Sequence, residues 1–500
     1  MDFNYIIVQA GGRGSRLGHL TRNKPKALLP VRNTPMLFHL FRKFPEKRFI
    51  VIGDYKIDVL RKYIAAFAEV SCTIVDSAGK SGTCAGISDA LAYVPKAEPF
   101  MLTWCDLILP EDYEIPEERG NCIGVSRGFR CRWKWDNGIF SEEPSENRGV
   151  AGHFIFTDKT ILSDVPDSGE FVRYLSLKEI SFRELPLAGT REFGLLSEYE
   201  KLNVEKCRPF NRMTVTDDKI IKEGIDEQGK ALAAREKAWY AKVADMNFIG
   251  IPRIYAMNPL TMEKIDGRNI YECSNLSFEE KREALARIIE CLHSVHSLES
   301  VSSDRASFHE AYIGKTKERL EKVRNLIPFA GDEYVTVNGR KCRNVFSHWA
   351  ELEGIADSYF PKEFKLIHGD CTFSNIMLRA DGSPVLIDPR GYFGTTELYG
   401  DPAYDWAKLY YSIVGNYDQF NLGRFRLDIQ EDNVGLEIES NRWEDMEETF
   451  FGLLSGEADR RQIKALHAII WLSLTTYAWH DYDKVCGAFY NGLWHLEEVL

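Results

Sequence analysis

Between residues 1 and 205 the chain is punctuated by short apolar runs that end in Gly, Asp or Thr: YIIVQA (5–10), RFIVIGD (48–54), SCTIVD (71–76), PFMLTWCD (99–106) and GHFIFT (152–157). Unbroken apolarity over so short a span fits strands buried on both faces, so these read as buried parallel strands. PMLFHLFRKF (35–44) and KIDVLRKYIAAFAE (56–69) carry helical spacing between them. Alternation of this kind predicts an α/β doubly wound, Rossmann-like domain. From Cys207 the pattern changes. NRMTVTDDKIIKEG (211–224) reads as a hairpin around Asp217-Asp218, GKALAAREKAWYAKVA (229–244) as a helix, and RIYAMNPLTMEKI (253–265) as a strand pair followed by long helices to Leu298. A strand pair over 366–390 precedes a tail that reads as mostly helical. The boundary falls at 203–209, giving domains 1–205 and 206–500, the second of α+β class, with no Gly/Ser-rich linker, repeat or low-complexity tract.

Five hundred residues exceed one core, and 44% hydrophobic with 28% charged residues is ordinary for a globular chain. A formal charge of −12 argues against nucleic acid or an anionic membrane as partner and leaves small-molecule substrates. Eleven cysteines without a CxxC pair read as reduced thiols. The N-terminus has no signal-peptide pattern, and ALHAIIWLSLTTYAW (465–479) is too short and too polar to span a bilayer. The expectation is a cytoplasmic protein.

Candidate chemistry in the second half lies in LIHGDCTFSNIML (366–378) and VLIDPRG (385–391), two apolar runs each ending near an Asp. Phosphoryl transfer needs a carboxylate at the acceptor hydroxyl, a divalent metal on the phosphates and a cation on the donor. Asp370 fits the first role; Asn375 and Asp388 fit the metal. Lys222 at a strand end and Glu236 in the next helix fit a phosphate-gripping pair. TMEKIDG (261–267) has the look of a hinge offering backbone groups from Glu263 to Ile265. In order, these residues and GDPAYDWAKLYYS (400–412) resemble the aminoglycoside phosphotransferase and choline kinase superfamily over residues 208–500. The resemblance implies a protein-kinase-like fold, ATP and Mg2+, Asp370 as catalytic base, Asn375 and Asp388 as metal ligands, and Lys222 on phosphate. It departs in lacking a Gly-rich loop, with only TVTDDKI (214–220) in its place.

In the first half, VQAGGRGSRLGHLTRNKPKALLPV (8–31) follows the first strand directly. Glycines at a strand end let backbone N–H groups approach phosphates, here Gly11, Gly12 and Gly14, and Arg16, Lys24 and Lys26 add cations suited to a triphosphate. The pattern resembles the sugar-phosphate nucleotidyltransferase family, which implies Arg16 and Lys26 at the reaction centre. By the same resemblance Gly82 and Thr83 in GKSGTCAGISDAL contact the nucleotide base, Asp106 in TWCDLIL holds magnesium, and Glu143 and Pro144 lie near the sugar. Where the family often has a second metal-binding Asp in D-x-G-T, LPLAGTREFG (185–194) puts Leu187. Glu184 and Glu192 are both open substitutes, and a metal held by Asp106 and substrate alone is a third option.

Together the halves suggest a bifunctional enzyme that phosphorylates a sugar or similar small alcohol with ATP and couples the ester to a second NTP (CTP, UTP or GTP). The product would be an activated group for a capsule or other surface polysaccharide. Two alternatives stand: a choline or ethanolamine kinase with phosphocholine cytidylyltransferase activity, and a scaffold with an inactive first half. Aromatic residues in WKWDN (133–137) and at Trp471, Tyr477, Trp479, Tyr482 and Trp494 suit a cationic substrate, although such residues usually build core; Arg127, Arg130, Arg132 and Lys134 suit an anionic one.

Overall fold

The first apolar run becomes strand β1 (Tyr5–Gln9), and around it form β2 (Arg48–Gly53), β3 (Cys72–Asp76), β4 (Phe100–Trp104), β5 (Cys122–Ser126), β6 (Val150–Phe156) and β7 (Arg183–Leu187). This is a computed structural model that describes residues 3–194, 196, 199, 211–273 and 275–500. Two compact units emerge: Met1–Val204 with His480–Asp483, and Glu205–Trp479 with Lys484–Leu500. The expected boundary at 203–209 lies outside the described residues.

The seven strands of the first unit run in the order β7-β5-β6-β4-β1-β2-β3. β1 lies parallel to β2 on one side, Tyr5 opposite Arg48, and parallel to β4 on the other, Tyr5 opposite Phe100. Helices α1 (Met36–Lys43) and α2 (Ile57–Phe67) occupy the crossovers. The order of strands reverses at β1, so a crevice opens beyond the carboxyl ends of β1 and β4, the usual ligand position in such sheets. One expectation is corrected: β6 runs antiparallel to β4, His153 opposite Thr103, and not parallel. All seven residues of β6 are buried. Burial on both faces sets the apolar run, and it does so whichever way the strand points.

The second unit begins with β8 (Asn211–Val215) and β9 (Lys219–Gly224), the expected hairpin, then α3 (Glu227–Asp245), β10 (Ile254–Met257) and β11 (Leu260–Glu263). These strands form one sheet in the order β8-β9-β11-β10. α3 starts at Asp226, whose carboxylate accepts from the Gly229 N–H at 2.7 Å. α4 (Phe278–His296) starts with a reciprocal Ser277–Glu280 cap. The remaining elements that carry side chains of interest are α5 (Lys315–Val323), the paired strands β12 (Ile376–Arg379) and β13 (Pro384–Leu386), α6 (Pro402–Ile413) and α7 (Arg460–Leu474). The tail is mostly helical as expected, with one hairpin that the helical reading missed. Phe425–Ile429 and Val434–Ile438 pair as a hairpin and join Tyr334–Val337 and Arg340–Arg343 in a four-stranded sheet. The alternation in FRLDI and VGLEI around the polar turn at 430–433 carried that signal. Among the described residues no helix is long and apolar enough to cross a membrane.

Candidate active sites

Two loops frame the crevice of the first unit. Gly14, at φ +67°, precedes the short turn Ser15–Thr21 in a conformation that L side chains rarely adopt. The Gln9 side-chain amide donates to the carbonyls of Thr83 (3.0 Å) and Ala85 (2.9 Å), pinning the 79–86 loop to the end of β1. Gly82 sits at φ +77°, and a Cβ there would lie 2.2 Å from the Gly169 carbonyl oxygen. The Thr83 hydroxyl accepts from the Phe171 N–H at 2.8 Å, so it braces the loop. Gly11 packs close to Asp54, while Gly12 faces open space.

Between these loops Asp106 leaves the end of β4 and forms an ion pair with Lys26. Their side chains are 11% and 12% exposed. The third member is Glu192. Its short strand pairs antiparallel with Leu107–Ile108, Glu192 opposite Leu107, which brings its carboxyl against Asp106. Burial, followed by the Asp106 charge, pushes the Glu192 carboxyl up to about 7, whereas Lys26 overcomes burial to hold Asp106 below the usual carboxylate range. Arg16 is exposed, forms no ion pair among the described residues, and adds positive charge near Glu192.

This arrangement separates the two candidate substitutes for the missing Asp. Glu184 is taken by Arg127, Leu187 is 1% exposed inside a small apolar cluster, and Glu192 faces Asp106 and Lys26. A buried and a half-buried carboxylate that already attract an ammonium are chemically suited to magnesium, which is commonly held by one or two carboxylates plus substrate phosphates. Among the described residues no group of three or more His, Cys, Asp or Glu is placed to hold a metal. Lys24 is withdrawn from the phosphate set. It is 3% exposed and pairs with Asp481 and Asp483, residues that belong to the same unit. Trp133 and Trp135 are buried core, Arg132 pairs with Glu142 and Glu170, and Glu143 and Pro144 are exposed.

In the second unit Lys222 on β9 forms ion pairs with Glu236 of α3, at 2.9 Å, and with Asp388. Asp388 is held at φ +55°, unusual for a residue with a side chain, and its N–H donates to the Tyr240 hydroxyl at 3.2 Å. Asn375 donates through Nδ2 to the carbonyl (2.8 Å) and Oδ2 (3.1 Å) of Asp370. Its amide oxygen accepts no hydrogen bond among the described residues, so that is the atom left for a cation. Asp388 fits as the second ligand, its carboxylate again drawing an ammonium to itself.

Asp370 is positioned by a network that the LIHGD segment only hinted at. Asp405 of α6 is fully buried and accepts from the N–H groups of His368 (2.9 Å) and Gly369 (2.7 Å), and its Oδ2 lies 2.9 Å from His296 Nε2. The His368 ring accepts from the Asp370 N–H at Nδ1 (3.2 Å) and so carries its proton on Nε2, which donates to the Ile387 carbonyl (2.9 Å). Burial keeps that imidazole below its ordinary pKa, and hence neutral. The two strand ends bearing Asp370 and Asp388 are thereby tied together. Lys408, also on α6, pairs with Asp370 at 3.0 Å.

At the expected hinge the N–H groups of Glu263 and Lys264 are committed to the carbonyls of Arg253 and Asp218. The Glu263 carboxylate grips Arg379 through two bonds of 2.7 and 2.9 Å. Glu263 is therefore a brace, and its N–H is not open to a base. The Ile265 N–H has no partner among the described residues and is the donor left to that role.

Residues 6–114 match the family described as MobA-like NTP transferase domain, and residues 225–433 match the phosphotransferase enzyme family. Glucose-1-phosphate cytidylyltransferase of Salmonella typhi is 22% identical over 270 residues, covering 45% of this chain and 96% of that protein. Similar solved structures include HddC from Yersinia pseudotuberculosis, at 21% identity over 40% of this chain and 97% of that one, with a TM-score of 0.35. Another is CTP:phosphocholine cytidylyltransferase from Streptococcus pneumoniae, at 18% identity over 40% and 98% of the chains, with a TM-score of 0.32.

Proposed function

We propose that this chain, which carries an N-terminal MobA-like NTP transferase domain and a C-terminal phosphotransferase domain and is thus a bifunctional enzyme, runs its two reactions in sequence on one metabolite. In the second unit Asp370 takes the proton of an acceptor hydroxyl as its oxygen attacks the γ-phosphorus of ATP, and ADP leaves. Lys222, oriented by Glu236, holds the donor phosphates. In the first unit a phosphate oxygen of the new ester attacks the α-phosphorus of a second NTP, and pyrophosphate leaves. Arg16 and Lys26 offset the charge that builds up there, and the 11–14 and 82–83 loops seat the nucleotide. Magnesium, held through Asp106 with Glu192 and through Asp388 with Asn375, would neutralise phosphate charge in each site.

The observation that carries this reading is chemical fit: one unit needs a phosphate nucleophile, and the other has the base, cation and metal-binding groups to make one. The name of the Salmonella relative makes a sugar phosphate and CTP the first pair to try, with an activated sugar for a cell-surface polysaccharide as the product and the cytoplasm as its place. The test is mass spectrometry of products from the full chain with ATP, magnesium and each of CTP, UTP and GTP, over a panel of small alcohols. A nucleoside-diphosphate-linked product supports the reading. Phosphorylation that never leads to nucleotide coupling overturns the sequential part of it.

A further inference from the structure

The cavity beside Asp370 is rich in positive charge. About 370 Å³ in volume, it is lined by Lys315 and Arg319 of α5, Arg390 from the turn after Asp388, and Lys408 of α6, besides Lys222. A second cavity of about 200 Å³ shares Lys315, Arg319 and Arg390. Lys315 and Arg319 stand one helical turn apart on one face of α5. Only Lys408 has a carboxylate partner, Asp370 itself; no Asp or Glu lies within ion-pair distance of the other three among the described residues. Arg390 donates to the hydroxyls of Tyr404 (2.8 Å) and Tyr392 (3.0 Å), and Arg319 donates through one nitrogen to the Ser473 carbonyl (2.6 Å) and hydroxyl (3.1 Å). Each guanidinium has five N–H donors, so both keep donors in reserve.

Three half-buried cations converging from separate elements repel one another, and the nearest carboxylates, Glu310 toward Lys315 and Asp370 toward Arg390, offset that repulsion without closing an ion pair to any of the three among the described residues. Burial, then Arg390, Arg319 and Lys408, drive Lys315 well below its ordinary pKa against the smaller opposing pull of Glu310. An anion entering the cavity would relieve that repulsion. The tyrosines there do not form a free cage for a quaternary ammonium, because the protein's own cations already lie over them. Lys315 is 5.5 Å from the Tyr404 ring centre, and Lys408 is 5.3 Å from that of Tyr411.

We infer that the acceptor of the phosphotransferase site carries an anionic group, a carboxylate or a phosphate, close to the hydroxyl that is phosphorylated, and that Lys315, Arg319 and Arg390 bind it. The inference rests on the phosphotransferase reading of this site and narrows it: hydroxy acids, sugar acids and sugar phosphates are favoured, neutral sugars are poor acceptors, and choline is rejected. The product then reaches the nucleotidyl-transfer step with a second negative charge.

The test uses the full chain with ATP and magnesium, without a second NTP, on matched acceptors: glycerol against glycerate, glucose against gluconate and glucose 6-phosphate, and choline. Within a matched set the anionic member should turn over with the higher kcat/KM, and the hydroxy-acid and sugar-phosphate arms tell carboxylate from phosphate. Arg319→Gln should lower kcat/KM for that acceptor about ten- to a hundredfold, the worth of hydrogen bonds to a charged group, with the loss in acceptor KM and not in KM for ATP. Independently of turnover, inorganic sulfate should raise the melting temperature of the wild-type chain more than that of a Lys315→Met/Arg319→Gln variant. Preference for a neutral or cationic acceptor, an Arg319→Gln defect in KM for ATP, or equal sulfate stabilisation of both chains overturns the inference and leaves the kinase reading standing. Absence of phosphoryl transfer to every acceptor, with no Asp370-dependent ATP hydrolysis, overturns both.

Discussion

Replacing Lys26 with Met removes the ammonium that pairs with Asp106 and keeps nearly all of the volume. Asp106 and Glu192 are then left facing each other in a pocket where the pair was 11–12% exposed. Removing one partner of a buried ion pair costs about 3–5 kcal/mol because a charge is stranded, and the residual water contact puts this site near the lower end. For a unit of this size each kcal/mol moves the melting temperature about 2–4 °C, so a fall of roughly 6–12 °C is expected in the transition of the first unit. In the proposed reaction the same ammonium would stabilise charge in nucleotidyl transfer, and losing such a group lowers the rate on the order of a hundred- to a thousandfold. Scanning calorimetry of the full chain and a pyrophosphate-release assay with supplied phosphate ester read the two effects. Magnesium without nucleotide should restore more stability to Lys26→Met than to wild type, since the freed carboxylates bind it without competition from the lysine. Phosphoryl transfer should stay at the wild-type level. A melting temperature within 2 °C of wild type, or pyrophosphate release within about tenfold of it, would refute the counter-ion role assigned to Lys26.

Asp370→Asn should abolish phosphoryl transfer while ATP still binds, as read by isothermal titration; wild-type turnover would remove Asp370 as the base. Gly82→Ala, whose Cβ would fall 2.2 Å from the Gly169 carbonyl at φ +77°, should displace the 79–86 loop and raise KM for the second NTP about tenfold or more, for a strain of about 1–3 kcal/mol. An unchanged KM there would take that loop out of the nucleotide site. Asp401, 2% exposed at the start of α6, is raised by burial from the ordinary 3.8 to about 6. A raised carboxylate pKa means the folded protein holds the proton more tightly, so the stability it contributes is present below pH 4 and is lost as pH climbs to 6. Relative to Asp401→Asn, wild type should therefore lose on the order of 3 kcal/mol between those limits in urea denaturation, and parallel pH profiles would contradict the assignment.

The candidate residues placed beside strand ends were the ones legible in the sequence. Asp370, Asp388 and Asp106 sit just beyond an apolar run, Asn375 sits just before one, and Lys222 with Glu236 follows from a strand Lys and the next helix. Residues whose role depends on register were not legible. Glu192 became the partner of Asp106 only because Arg191–Glu192 pairs with Leu107–Ile108, and nothing in LPLAGTREFG distinguishes it from Glu184. Asp405 lies in the GDPAYDWA motif, but its two bonds to the backbone of the catalytic loop require a helix placed against that loop. The cations of the acceptor cavity were hidden differently. Lys315 and Arg319 belong to KTKERLEKV, whose charge density reads as a solvated face, and only tertiary packing turns that face inward. Direction was equally unreadable in GHFIFT, since burial on both faces gives one pattern for either orientation.

The central claim is that the phosphate added by the second unit becomes the nucleophile in the first. The direct test supplies the full chain with ATP radiolabelled in its γ-phosphate, unlabelled CTP, UTP or GTP, magnesium and the acceptor identified by turnover. The account predicts that the label passes through a free phosphate ester and ends in a nucleoside-diphosphate-linked product, as the phosphate next to the acceptor. Label that accumulates in the ester and never appears in a nucleotide-linked product with any of the three would contradict it.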